Sequence, residues 1–463
     1  MKKNYLIAIA VAALMLASTV AQAADISFSG QFRPRFQSAD DWDNATDSRN
    51  YFTQRVRLNA KASPNANTDV FLQFQSVGTW GNVGDSAGTR VSVGDATSAN
   101  DLVDDVGLHQ ATVTLKNFMG QAVNAKIGRQ EVVLDGHRLF GHTGWTDGAN
   151  SMDAIRLDHS AGNHTLNYVY IAGTEAGSTS NSDDSNVDFH VFRANTQGVM
   201  GGDLSAYFVI VNDNSADTAM DDVNDWYTIG ARQKGKLGGL DYRVEYYHQF
   251  GDGATRAAAS GFSGAYTPTA TNGLTIDRNA SMVGVRVGKT FKNMGLSPTI
   301  TLWYDSLSGT DDGDVSGNDW GTFDTHMDTG HKFYGFMDMY LGQSGGKTAY
   351  MGLQDIALKT KWKLDGKNTL KGDFHHFRTQ TDMSSTDSDT IIANSSKLVA
   401  QDTNDSGDLG SEVDLTLVHK YDSNSKIVVG YSHYWSAQML AALRNGGKNG
   451  DADWIYVMVD TKF

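Results

Sequence analysis

Every second residue is apolar in stretch after stretch of this chain, with polar or charged residues between. Ile26, Phe28, Phe32 and Phe36 alternate with Ser27, Ser29, Gln31, Arg33 and Arg35, and Phe52, Val56, Leu58 and Ala60 with Thr53, Arg55, Arg57, Asn59 and Lys61. Leu240, Tyr242, Val244 and Tyr246 stand against Asp241, Arg243, Glu245 and Gln249, and Ile356, Leu358, Trp362 and Leu364 against Asp355, Lys359, Lys361 and Lys363. Successive side chains of a strand point to opposite faces, so each segment is a strand with one apolar face and one charged face. A soluble sandwich turns the charged face to water. A membrane barrel turns the apolar face to lipid and the charged face to its lumen.

The spacing of the strands favours the barrel. The pattern predicts strands at 25–37, 49–63, 68–80, 105–118, 121–134, 150–158, 164–175, 188–197, 201–212, 225–236, 240–251, 279–291, 297–306, 353–363, 368–380, 410–421, 426–437 and 453–463. Each is about as long as the ~9–11 residues that a tilted strand needs to cross a bilayer. Short connections such as 64–67, 119–120, 237–239, 365–367 and 422–425 take turns with long ones such as 81–104, 252–278, 307–352 and 381–409. The expected fold is therefore all-β, a transmembrane antiparallel up-and-down barrel of about 18 strands with short periplasmic turns and long extracellular loops. The 4 prolines against 49 glycines suit long paired strands. Alternation is poorest at 188–197, where Phe189 and Val191 share a face with Arg193, and the apolar run 333–339 is assigned to a loop.

Lys2 and Lys3, an apolar run from Tyr5 to Ala17 and the small residues Ala21 and Ala23 form a secretory signal peptide over 1–23, leaving 24–463 as one domain. The apolar run is shorter than the ~20 residues of a membrane-spanning helix. There is no cysteine for a disulfide or thiolate metal site. Without Lys2 and Lys3 the net charge goes from −15 to −17, which argues against a nucleic-acid partner. The segments Asp40 to Asp43, Asp183-Asp184, Asp221-Asp222, Asp311 to Asp314 and Asp402 to Asp408 make the long loops acidic. No cofactor is expected, and divalent cations are the ligands such loops suit. Asp402 to Gly407 begins like a calcium loop, but Val413 occupies the position of its bidentate Glu.

No nucleophile elbow, zinc helix motif or phosphate loop is present, so no enzyme is expected and no catalytic residue is assigned. His375 and His376 are adjacent on one strand, so they point to opposite faces and cannot share a metal. Positive charge does recur on the polar parity: Arg33, Arg35, Arg55, Arg57, Lys126, Arg156, Arg243, Arg286, Lys359 and Lys361. An arginine at mid-bilayer on the lipid face costs about 2–4 kcal/mol, so the lumen is the favoured side. Glu245, Asp355, Asp373, Glu412 and Asp414 share that parity and are the expected charge partners. Two roles are open to the basic residues, a charge ladder bracing the wall and a filter favouring anions.

Ile127-Gly-Arg-Gln-Glu131, Gly136-His-Arg-Leu-Phe-Gly141, Trp145 and Asp153-Ala-Ile-Arg-Leu157 together resemble the signature of the alginate export (alginate porin-like) family of bacterial outer-membrane proteins. Gly352-Leu-Gln-Asp355, His375-His-Phe-Arg378, Gly410-Ser-Glu-Val-Asp414 and Gly430-Tyr-Ser-His433 extend the resemblance. It implies a monomeric 18-stranded outer-membrane barrel, and an arginine-rich pore to which Arg129 and Arg138 also belong. The terminal Phe463 resembles the signal read by the barrel assembly machinery. The implied partners are outer-membrane lipid, lipopolysaccharide and small anionic or oligosaccharide solutes, passed by diffusion through a porin-like channel. A dedicated alginate or polyuronate exporter and a structural or adhesion barrel with a closed lumen are the competing readings. The segment 307–352 is expected to fold inward as a sieve. Strict alternation from Ile127 puts Arg129 on the lipid face, so a bulge at Gly128 is expected to turn it inward, with Asp153 at the rim.

Overall fold

The computed structural model describes residues 25–40, 49–80, 106–174, 187–213, 224–253, 277–311, 313–314, 319–340, 348, 351–381, 407–437 and 451–463. The chain runs β1 (Asp25–Ala39), β2 (Arg49–Asn65), β3 (Thr68–Thr79), β4 (Gly107–Leu115), β5 (Val123–Gln130), β6 (Met152–Ala161) and β7 (His164–Thr174). Next come β8 (Val187–Val199), β9 (Gly202–Asp213), β10 (Asn224–Leu237), β11 (Leu240–Asp252), β12 (Asp277–Thr290), β13 (Thr299–Leu307) and the two-residue β14 (Asp319–Trp320). The last are β15 (Leu353–Lys363), β16 (Asn368–Arg378), β17 (Asp408–Lys420), β18 (Ser425–Ser436) and β19 (Ala452–Lys462).

Consecutive long strands pair antiparallel, and β19 returns to β1, with Gln31 opposite Lys462 and Ala39 opposite Trp454. Eighteen strands so close the wall without a free edge, while β14 lies off it and pairs parallel with β12. Closure satisfies every strand's backbone inside the wall, which a membrane requires. All 18 segments read from the alternation are strands, with ends shifted by a few residues. Short turns close one end, and the strand ends that the long connections join lie at the other. Among the described residues no helix is long and apolar enough to cross a membrane.

The register sorts side chains as the alternation requires. Phe28, Leu58, Leu166, Ile229, Leu302 and Ile356 are exposed on the outer face, and Arg33, Arg57, Gln75, Thr228, Glu245 and Asp355 are buried on the inner one. On β8 to β10 the inner face is itself apolar: Val187, Phe189, Val191, Tyr207, Val209, Val211 and Trp226 are buried. Their cover comes from inside. The segment 131–151 and the described residues between 308 and 340 fold into the lumen, and Val132, Leu134, Leu139, Phe140, Phe323 and Phe333 join these wall residues in one apolar core. The weak alternation at 188–197 follows from this, since Phe189 and Val191 face a packed loop while Arg193, farther down the strand, stays polar.

The expected inward fold of 307–352 is present over its described part, and 131–151 shares the task. The apolar run 333–339 is loop, buried in the lumen: Phe333, Tyr334, Met337 and Met339 are all nearly inaccessible. The signal segment and the acidic residues 41–43, 183–184, 221–222 and 402–406, with the calcium-like start, lie outside the described residues.

Candidate functional site

Four arginines on the inner faces of β1 and β2 hold the first inward segment. Arg33 donates to the carbonyls of Gly144 (2.8 Å), Trp145 (2.9 Å) and Thr146 (3.0 Å) and to Asp147 Oδ1 (2.8 Å). Arg35 reaches Asp147 Oδ2 at 3.1 Å, and Arg55 donates to the carbonyls of Gly144 and Thr146 at 3.2 and 3.1 Å. Arg57 meets Gln75 Oε1 (2.6 Å), Glu131 Oε1 (3.1 Å) and His109 Nε2 (3.1 Å). A guanidinium presents several donors in a rigid fork, so one side chain can collect several loop carbonyls that would otherwise be stranded in the lumen. Burial pushes the Asp147 carboxyl up, but Arg35 and Arg33 outweigh it and hold it below its ordinary range.

The second inward segment is laced to the first by backbone. Gly141 N–H donates to Met327 O (2.8 Å), Met327 N–H to Leu139 O (3.0 Å) and Thr329 N–H to His137 O (3.1 Å). Trp145 stacks on His331 at 4.6 Å, and His331 bonds Asp338 at 2.7 Å. Farther round, Glu412 of β17 accepts the N–H groups of Phe336 (2.6 Å) and Met337 (2.9 Å). The two segments thus form one inner partition, tied to β1–β2 on one side and to β17 on the other.

Opposite the β1–β2 arginines, Arg138 crosses from the first segment to the far wall. It is wholly buried, 2.6 Å from Asp305, 3.6 Å from Glu245 and 2.7 Å from Tyr334 Oη, with its guanidinium 3.8 Å from the Phe333 ring. Burial opposes its charge, yet Asp305, Tyr334 and Glu245 raise its pKa well above the ordinary arginine value. Arg243 and Arg286 approach Glu245 at 2.5 and 3.4 Å, and Arg286 lies 3.4 Å over Trp303. Asp355 bonds His375 at 2.9 Å, Lys359 bonds both Asp373 (2.9 Å) and His375 (3.0 Å), and Asp414 accepts from Ser432 at 2.5 Å. His376 points outward to Ser411, as its neighbour's inward position demands.

Basic side chains also lie beside the partition. Lys332 on the second segment is exposed with no ion-pair partner among the described residues, and burial of its stem with Arg243 and Arg232 nearby lowers its pKa. His137 is held down to about 4 by burial, by Lys332 and by His142, so it is neutral near pH 7. Arg232 is buried, 3.9 Å from Asp135, which Arg193 holds more closely, and directly opposite Glu245 in the wall. Below the partition Lys61, Lys234, Lys361 and Lys371 are exposed, and Lys126 is half-buried, on the lumen parity.

The expected site residues therefore divide. Arg33, Arg35, Arg55 and Arg57 face the lumen but grip a loop. Arg138 and Arg286 are buried in charge networks with Glu245 and Asp305, and Arg156 bonds Asp158 at 2.8 Å on its own strand. Lys126, Lys359 and Lys361 line the lumen, Lys359 in a network. Arg129 is a correction. It lies on the outer face, where its guanidinium meets Asp153 through two bonds of 2.9 and 2.7 Å. Gly128 does have a positive φ of 118°, and a Cβ there would stand 2.2 Å from Ala111 O, yet Arg129 stays level with the outward Ile127 and Ile155. The glycine admits a close strand approach and leaves the parity intact. Asp153 sits one residue from the loop end of β6, the rim position expected of it. Unforeseen were Lys332, Arg232, Lys234, Asp305 and the Asp135–Arg193 pair. Arg232 and Lys234 follow the alternation of β10 and were legible; Lys332 lies in a loop with no period to expose it.

A model of the alginate export family matches residues 24–449. A search of curated protein sequences gives no match. Among solved structures, Pseudomonas aeruginosa OccK9 (OpdG) superposes with a TM-score of 0.58 at 13% identity, covering 95% of this chain and 98% of that one. P. aeruginosa OpdK with vanillate gives 0.56 at 12% identity, with 95% and 98% covered. OccK2 (OpdF) in complex with glucuronate gives 0.52 at 13% identity, with 96% and 98% covered. At these identities the likeness is one of fold. With a closed 18-strand wall and a lumen still lined by exposed side chains, the chain belongs to the alginate export family and is an outer-membrane β-barrel channel.

Proposed function

We propose that the channel passes small hydrophilic solutes by diffusion and prefers anions, with carboxylates and acidic oligosaccharides the class its lumen suits. The observation that carries this reading is a set of exposed or half-buried lysines on the lumen side with no ion-pair partner among the described residues: Lys61, Lys126, Lys361 and Lys371 near the short turns and Lys332 on the second inward segment, with Lys361 directly opposite Lys371. Elsewhere the wall is braced by opposite charges, Arg232 opposite Glu245 and Lys359 opposite Asp373, whereas like charges directly opposite one another, as at Lys361 and Lys371, destabilise a sheet. Such pairs lower the energy of an anion between them, and a low-dielectric wall focuses that field on the path. The solved structures of OpdK with vanillate and OccK2 with glucuronate hold carboxylate ligands, in keeping with this class. The inner partition supplies the size limit.

Reversal potentials of the refolded protein in a potassium chloride gradient test the proposal. Anion preference is expected, weakened in Lys332→Glu and in Lys126→Glu; cation preference in the unaltered protein would refute it.

A further inference from the structure

The outer face of β7–β11 carries a recess in the apolar band. Leu166, Ala194, Ala206, Ala231 and Tyr246 form one lateral row through direct cross-strand pairs, and all five are exposed. The middle of that row is three alanines. The next outward row on the long-loop side is large: Tyr168 pairs with Phe192, Phe192 with Phe208 and Phe208 with Ile229. The Tyr168 and Phe192 rings lie 5.0 Å apart, and those of Phe192 and Phe208 6.3 Å apart. Phe192 and Phe208 stand midway along β8 and β9, so this ledge is not the aromatic girdle that marks a membrane interface. On its short-turn side the alanines floor a cavity of about 850 Å³, flanked by Leu157 and Leu166 at one end and by Tyr246 at the other.

We propose that this groove binds the acyl tails of a phospholipid from the periplasmic leaflet. The groove is continuous with the lipid-contacting face of the wall, so hydrocarbon is the medium that reaches it. The ledge closes it toward the long loops, whereas its lining stops at the alanine row on the side of the short turns, which are periplasmic in a barrel of this kind. A tail therefore enters from the periplasmic leaflet, which is phospholipid, and its end tucks against Phe192 and Phe208. Adjacent strands are about 4.8 Å apart, so a floor on three strands is roughly 10 Å wide, which suits the paired tails of one lipid. An unfilled recess forfeits the dispersion contacts of its lining, and a tail restores them. A second copy of the chain fits worse. Two barrels in one membrane share their orientation, so a two-fold axis between them runs along the membrane normal and equal heights meet. Ledge would strike ledge, and floor would face floor across a doubled void. Behind the floor, Arg193 and Tyr207 turn into the lumen and bond Asp135 of the first inward segment, so a bound tail also backs the wall to which that segment is fastened. The site is on the outer face and does not depend on which solute the lumen passes.

The test is photo-crosslinking of the refolded barrel in vesicles of phosphatidylethanolamine and phosphatidylglycerol that contain a trace of phosphatidylethanolamine with a diazirine at the end of one tail. Peptide mapping should place the label on the stretches around Ala194, Ala206 and Ala231, in excess over the exposed outer face around Ile356. Ala206→Phe fills the groove from its floor and should lower labelling there by about threefold or more, with labelling around Ile356 unchanged. Ala206→Leu should lower it less and serves if the larger side chain prevents assembly, which the gel shift of the unheated protein reads. Even labelling around the barrel, or labelling of the groove untouched by both variants, would overturn the proposal. The chain has no cysteine, so Ala206→Cys gives a single thiol at the floor. Disulfide-linked pairs of barrels at high dilution in lipid would assign the groove to a second copy instead. Labelling of the same stretches by tail-modified lipopolysaccharide in preference to phospholipid would assign it to the outer leaflet, and either result removes the phospholipid site.

Discussion

Arg33 and Asp147 are 114 positions apart in the chain and 2.8 Å apart in the lumen, with both side chains more than nine-tenths buried. The pair fastens an inward loop to the first strand of the barrel, and it changes what the β1–β2 arginines are for. They hold the partition that narrows the pore, and the lysines that have no ion-pair partner among the described residues supply the open charge.

Removing Asp147 should release the loop. Breaking a buried ion pair by deleting one partner costs about 3–5 kcal/mol, because the other charge is left stranded. Asp147→Ala should still give the faster-migrating unheated band of a closed barrel, since the wall pairing is untouched, but with larger and noisier single-channel conductance. An unchanged conductance would show that Asp147 does not set the aperture.

Gly335 is a second fastening. Its φ is 82°, and a Cβ there would lie 2.4 Å from Glu412 Oε2, the carboxylate that receives the Phe336 and Met337 N–H groups. Gly335→Ala adds a left-handed backbone cost of roughly 1–2 kcal/mol to that collision. Urea unfolding in lipid vesicles should show a loss of at least this size, and Glu412→Gln, which keeps an acceptor oxygen, should lose less.

The Arg129–Asp153 pair reports depth in the membrane. The two side chains are 38% and 55% exposed on the outer face, near the loop ends of β5 and β6. An unpaired arginine there should cost only about 0–1 kcal/mol, against about 2–4 kcal/mol at the midplane. Asp153→Ala measured by reversible folding into vesicles separates the two; the larger cost would move the pair down into the apolar band.

His137 makes a prediction about acid. Its pKa is held down to about 4, chiefly by burial and then by Lys332 and His142, whereas the unfolded chain takes up that proton near 6.5. The unfolded state therefore binds more protons between these values. The histidine's support of the fold is complete above about 6.5 and is lost as pH falls toward 4. Its part in anion preference should stay constant from pH 8 to 6 and grow on approaching pH 4, where it adds a positive charge beside Lys332. Reversal potentials of the unaltered protein and His137→Gln across that range should diverge only at the acid end.

Local chemistry fixed the wall. Alternation at Ile26 to Phe36, at Phe52 to Lys61 and in the other strands set which side chains face lipid, because a strand's parity is a property of the chain alone. Parity also put Glu245, Asp355, Asp373, Glu412 and Asp414 in the lumen. It placed Arg129 outside, and the expectation of a bulge at Gly128 was the step that failed.

Parity could not say what a lumen-facing charge would meet. Arg33 holds Asp147, Arg138 holds Asp305 and Glu412 holds the Phe336 and Met337 N–H groups because two loops enter the barrel and meet at Phe140 and Met327. These contacts join residues separated by tens to hundreds of positions, and no period runs through a loop. Whether a lumen arginine is a clasp or a filter depends on which carbonyls and carboxylates arrive opposite it, and that is settled only when the barrel closes around its own loops.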